Sequence, residues 1–148
     1  FQRAIYFLSI ARLSDFLPSK IAMYISILES LFAVKGENTH KVAERTAVFI
    51  ERDRSKRNKL FKDIVRCYKI RSDYIHGAEI KHSTHELLPE TSKSLDSIVR
   101  RVLAKFFKEN PELNYRNSSK KGAKVKNFED VNEWFNELVL SGEWFYEK

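Results

Sequence analysis

Arg71 and His76 are the residues of this sequence whose types and spacing best suit chemistry, and both lie in the segment YKIRSDYIHG, residues 68–77. A guanidinium presents a fork of donors that matches phosphate oxygens. An imidazole takes and gives protons near neutral pH. Positions 60, 64, 68, 71 and 75 share one face of a helix, so Arg71 falls in line with Leu60, Ile64, Tyr68 and Ile75. A charge cannot be left dry and unpaired on an apolar face. Arg71 must therefore meet an acid or line a polar cleft or an interface, and Glu29 is the expected partner. A buried ion pair or a snorkelling side chain is the plain structural alternative. His76 follows five positions later, about 140° around a helix of about 3.6 residues per turn. Gly77 is expected to end that helix, which leaves His76 in its last turn. Asp73, three residues before His76, is expected within reach of one ring nitrogen, where it would fix the tautomer.

The remaining histidines suggest less. His82, His85 and Glu86 offer two or three metal ligands in an expected loop, fewer than a zinc site needs. They read as solvated or RNA-facing groups, and neither a metal nor another cofactor is expected.

The elements that must position Arg71 and His76 are helices. Apolar residues recur at helical spacing over 3–14, 19–35, 39–53, 57–76 and about 90–109, and again over 128–140. The run ERDRSKRNK at 51–59 reads as a loop or a solvated helix start, and GAEIKHSTHELLPE as an interruption. Pro89 with Thr91 and Ser92 can open the helix that follows. With four Gly, three Pro and no convincing strand pattern, the expectation is an all-α helical bundle. The chain of 148 residues is long enough for one real core. A helical pattern already runs at Phe1, so an upstream segment is expected. Apolar runs such as AIYFL are too short to span a bilayer. One cysteine, Cys67, fits a reducing cytoplasm.

Charge narrows the partners without choosing among them. Net charge is +7, which favours polyanions. It is unevenly placed: 115–126 carries five cations and no acid, whereas 127–148 carries six acids and one Lys. We divide the chain into a helical bundle at 1–109, a basic loop at 110–126, and an acidic amphipathic helix with an aromatic tail at 127–148. Lys69, Lys81, Arg116, Lys120 and Lys121 are the expected phosphate contacts.

The order of three segments, SILESLF, KVAERTAVFI and CYKIRSDYIHG, resembles the HEPN superfamily and, within it, the ApeA-like group. The likeness rests on Leu28, Glu29, Leu31 and Phe32, then Arg45, then Tyr68, Arg71, Ser72, His76 and Gly77, and spans roughly residues 1–107. HEPN nucleases often place Asn, Asp or His directly after the arginine; here Ser72 stands there, as is common in the ApeA-like group. The resemblance implies a bundle of four core helices with flanking helices. It implies a two-fold dimer that brings the Arg-x4-6-His segments of two subunits into one cleft. Arg71 and His76 would be catalytic, with Ser72, Asp73, Gly77, Tyr68 and Glu29 in support. Many such proteins are metal-independent ribonucleases in phage defence or toxin–antitoxin systems, with a cognate antitoxin or an upstream sensor domain as partner. Others are inactive modules for dimerisation, RNA binding or partner binding. A third reading, outside that family, is a generic cationic bundle in which Arg71 only balances Glu29.

Overall fold

The computed structural model describes residues 2–32 and 38–109. These residues form six helices and no strand: α1 (Gln2–Leu13), α2 (Leu17–Phe32), α3 (Asn38–Ile50), α4 (Arg54–Ile75), α5 (His82–His85) and α6 (Leu88–Glu109). Residues up to Leu103 belong to one compact unit and those from Ala104 to a second. Among the described residues no helix is long and apolar enough to cross a membrane.

Helix α2 is the centre of the first unit, with α1, α3 and α4 all packed on it. Its sequence explains that position. Ile21, Ala22, Tyr24, Ile25, Ile27, Leu28, Leu31 and Phe32 are all buried, which covers more than one apolar stripe. Its serines cost little, because Ser26 and Ser30 donate to carbonyls of their own helix, Ala22 and Ile27, at 3.0 and 2.7 Å. Helix α1 turns its small residues Ala4 and Ala11, seven apart, into the core. Helix α3 contributes Val42, Ala43, Ala47, Val48 and Phe49, and the Phe32 and Phe49 rings meet edge to face at 5.4 Å. Arg45 is buried among them. Its guanidinium donates to the Phe32 carbonyl at 3.2 Å, at the end of α2 where helix carbonyls lack partners. Desolvation pushes the Arg45 pKa down from its ordinary value.

Helix α6 carries the stripe Leu88, Leu95, Ile98, Val99, Val102 and Leu103 into the same core. Polar contacts fix its register. Tyr24 donates to Asp96 at 2.8 Å, and Asp96 also holds Arg100 at 2.6 Å. Burial first, and the Asp96 bond second, push the Tyr24 phenol up to about 12. Arg101 donates to the Ile50 carbonyl at 2.8 Å, closing the end of α3.

Several boundaries differ from the sequence reading, each for a local reason. Helix α3 stops at Ile50, three residues early. Asp53 adopts extended backbone (φ −70, ψ 127) to cap α4, accepting from the Lys56 amide at 2.8 Å. The run at 51–59 is therefore mostly the solvated start of α4. Within the expected interruption lies α5, a single turn whose His85 amide reaches the Lys81 carbonyl at 3.1 Å. One turn is too short to show a helical repeat.

Candidate functional site at the end of α4

Helix α4 ends in a glycine turn, as its sequence predicts. The Ala78 amide bonds the Asp73 carbonyl at 2.8 Å, the Gly77 amide bonds the Tyr74 carbonyl at 3.3 Å, and Gly77 sits at φ 68. This is the Schellman pattern, and its left-handed position suits glycine. His76 is the C-cap, its own amide bonded to Ser72 at 3.0 Å.

Upstream of that turn, Leu60, Ile64 and Tyr68 are buried on the inward line of α4, and Arg71 continues it. The Arg71 side chain is 28% exposed and its Nη2 lies 3.1 Å from Glu29 Oε2 on α2. Glu29 is thus the counter-charge that the sequence required. The pair leaves donors over: Arg71 Nε and the Tyr68 hydroxyl are buried without a hydrogen-bond partner among the described residues. Burial, then the nearby Glu29 charge, pushes the Tyr68 phenol well above its ordinary 10.0. Glu29, Tyr68 and Arg71 therefore form one cluster of a carboxylate, a neutral phenol and a guanidinium with unused donor capacity.

His76 does not join that cluster within one chain. It is exposed, and its ring makes no hydrogen bond or ion pair among the described residues. It stands about 140° around the helix from Arg71. The expected bond from Asp73 to the imidazole is not formed. Asp73 instead takes Lys69 at 3.2 Å, because a residue four positions back faces it on the same side of the helix. Ser72 is exposed and supplies its carbonyl to the turn. Lys69 and Lys81 are exposed, whereas Arg116, Lys120 and Lys121 lie outside the described residues. His82 pairs with Glu86 at 3.6 Å in solvent, and no cluster of three metal-ligating side chains occurs among the described residues.

Two features of this end were missed in the sequence. Phe16, in the turn between α1 and α2, meets the Tyr74 ring at 5.7 Å with the two planes tilted by 59°, and is 56% exposed. With Ile75 at 53%, it leaves large apolar groups in water at the Arg71–His76 segment, and Leu13, at the end of α1, is 85% exposed. The second is a row of cations on the outward face of α4, legible as Lys59, Lys62, Arg66 and Lys69 at spacings of three and four. No family model matches the chain, and neither curated proteins nor solved structures yield a match.

Proposed function

We propose that this chain is a HEPN-type, metal-independent endoribonuclease, of the kind found in phage-defence and toxin–antitoxin systems. Its site would be assembled by two copies of the chain. The observation that carries the proposal is the placing of a half-open arginine and an unpartnered histidine in the last two turns of one helix, beside exposed apolar side chains. A single copy holds half of what transesterification needs. A two-fold axis at this end supplies the other half, and burial of Phe16 and Ile75 favours that association.

RNA carries its own nucleophile. In the composite site, His76 of one copy removes the proton of the 2′-hydroxyl, whose oxygen then attacks the adjacent phosphorus. Arg71, held by Glu29, lends its remaining donors to the charged phosphorane oxygens. His76 of the partner subunit protonates the departing 5′-oxygen. The products are a 2′,3′-cyclic phosphate and a 5′-hydroxyl. Each proton transfer by a placed imidazole contributes roughly 10²–10⁴-fold.

The Arg71–Glu29 ion pair favours a second reading, an inactive module of the same fold that dimerises and binds RNA or a protein partner. Incubation of the purified protein with total RNA in EDTA separates the two, with Arg71→Ala and His76→Ala alongside. The nuclease reading expects cleavage by the wild type and loss of it in His76→Ala, whose dimer persists. Cleavage by His76→Ala, or a wild-type protein that is strictly monomeric by light scattering, refutes it. RNA binding without cleavage by the wild type selects the inactive module.

A further inference from the structure

Helix α4 presents two faces of opposite character. Counted around the helix, residues 59, 62, 66, 69, 73 and 76 fall within an arc of about 100°, on the side away from Arg71. They are Lys59, Lys62, Arg66, Lys69, Asp73 and His76. Lys62, Lys69 and His76 are spaced by sevens, so they stand almost directly above one another, with a drift of about 20° per step. The four cations and His76 are exposed. The acids facing them are Asp73, which takes Lys69 at 3.2 Å, and Asp63 at the edge, which lies 3.8 Å from Arg66. Lys59 and Lys62 carry no ion pair among the described residues. A shallow depression of about 420 Å³ opens at the amino-terminal part of this row, lined by Ser55, Asn58, Lys59, Lys62, Asp63 and Arg66, all polar.

We infer that the outward face of α4 is a track for the backbone of single-stranded RNA, running from Lys59 to the His76 end. The inference rests on the ribonuclease reading for what happens at the end of the track, but its binding claim stands apart from cleavage. The cations follow one another about 5 Å apart along the axis at about 1.5 Å per residue, and one narrow row serves one strand. The contacts are to phosphates, so the track has no sequence preference. His76 heads the row, so a strand lying on it delivers its sugar–phosphate chain to the imidazole and leaves Arg71 on the far side for the partner subunit's approach.

The test uses a fluorescent, fully 2′-O-methylated single-stranded oligonucleotide, which binds but lacks the attacking hydroxyl. Its affinity is followed by anisotropy from 50 to 200 mM KCl. Four single-strand phosphate contacts contribute a slope of about −2.8 in log K against log salt, or roughly 50-fold in affinity over that range. The quadruple variant Lys59→Gln, Lys62→Gln, Arg66→Gln and Lys69→Gln is expected to remove most of that slope. A control of equal net charge, Arg3→Gln, Lys41→Gln, Lys93→Gln and Lys108→Gln, is expected to keep it. An unchanged slope in the first variant, an equal loss in the control, or a wild type that does not bind overturns the track. His76→Ala is read in the same binding assay, and cleavage is followed separately with the unmodified RNA oligonucleotide. Loss of cleavage with the slope intact supports both readings, whereas a track-dependent slope in a wild-type protein that never cleaves RNA keeps the track and discards the nuclease.

Discussion

Replacing Glu29 by Gln tests whether the carboxylate is what holds Arg71 in place. The pair is closed at 3.1 Å with side chains 28% and 21% exposed, so it lies between a surface and a buried ion pair. Unit charges about 4 Å apart attract by about 4 kcal/mol at an effective dielectric constant of about 20. Desolvation and side-chain ordering offset much of that. Exposed pairs retain about 0–1 kcal/mol, while removing one partner of a fully buried pair costs about 3–5 kcal/mol. For this intermediate site we expect Glu29→Gln to cost about 2 kcal/mol, because it leaves the guanidinium half-buried without its counter-charge. At roughly 4 °C per kcal/mol for a domain of this size, Tm falls by about 8 °C. Arg71→Met should cost less, since the Tyr68 hydroxyl, now without a partner, can turn its proton to Glu29. Urea melts of wild type, both single variants and the double variant give the coupling energy, expected at about 1–2 kcal/mol. A coupling within about 0.3 kcal/mol of zero refutes the argument, since distant, independent sites add to that accuracy. Glu29→Gln should also slow RNA cleavage by raising the disorder of Arg71, an effect that Glu29→Asp should partly restore.

Ile64→Ala, at a fully buried position of α4, should lower stability in urea by about 2–5 kcal/mol with an unchanged m-value. Gly77→Ala meets no atom within 4 Å, so its whole cost is the left-handed backbone at φ 68, about 1–2 kcal/mol, and Gly77→Asn should cost less by the same melts. Alkaline stability should fall for a specific reason. Burial raises the Cys67 thiol from 9.0 to about 12, so the folded state keeps its proton while the unfolded chain gives it up. Stability is full below the unfolded value and is lost as pH climbs from about 9 toward about 12. Tyr24, raised from 10.0 to about 12, adds to the upper part of that fall. Cys67→Ala should flatten the urea midpoint against pH in its lower part, and an unaltered profile would contradict the assignment.

The helices were legible because their apolar residues keep one phase for three turns or more. The stripe from Leu95 to Leu103 and the line from Leu60 to Tyr68 are both buried where the spacing placed them. Glu29 as the Arg71 counter-charge was legible too, since an inward guanidinium demands one and few acids lie on inward faces. Asp73 was misassigned because two partners stood at helical distance from it, His76 at three residues and Lys69 at four. Spacing alone did not decide between an i+3 and an i−4 neighbour. The Phe16–Tyr74 contact joins residues 58 positions apart in sequence, across a turn and the end of another helix. No local periodicity encodes such a meeting. Of the outward cations of α4 only Lys69 stands among the expected phosphate contacts, because the apolar side of the same helix sets the frame and hides the row on the other side.

Cys67 has one more consequence. It is the sole cysteine of the chain and is buried on α4, three positions before the Ile70 side chain and four before Arg71. A thiol reagent can reach it only when that helix lifts from its neighbours, so the rate of modification is a clock for local opening with no second sulfur to confuse it. Timed with and without a bound oligonucleotide, that clock reports whether a ligand on the outer surface of the helix stiffens the side that faces the core.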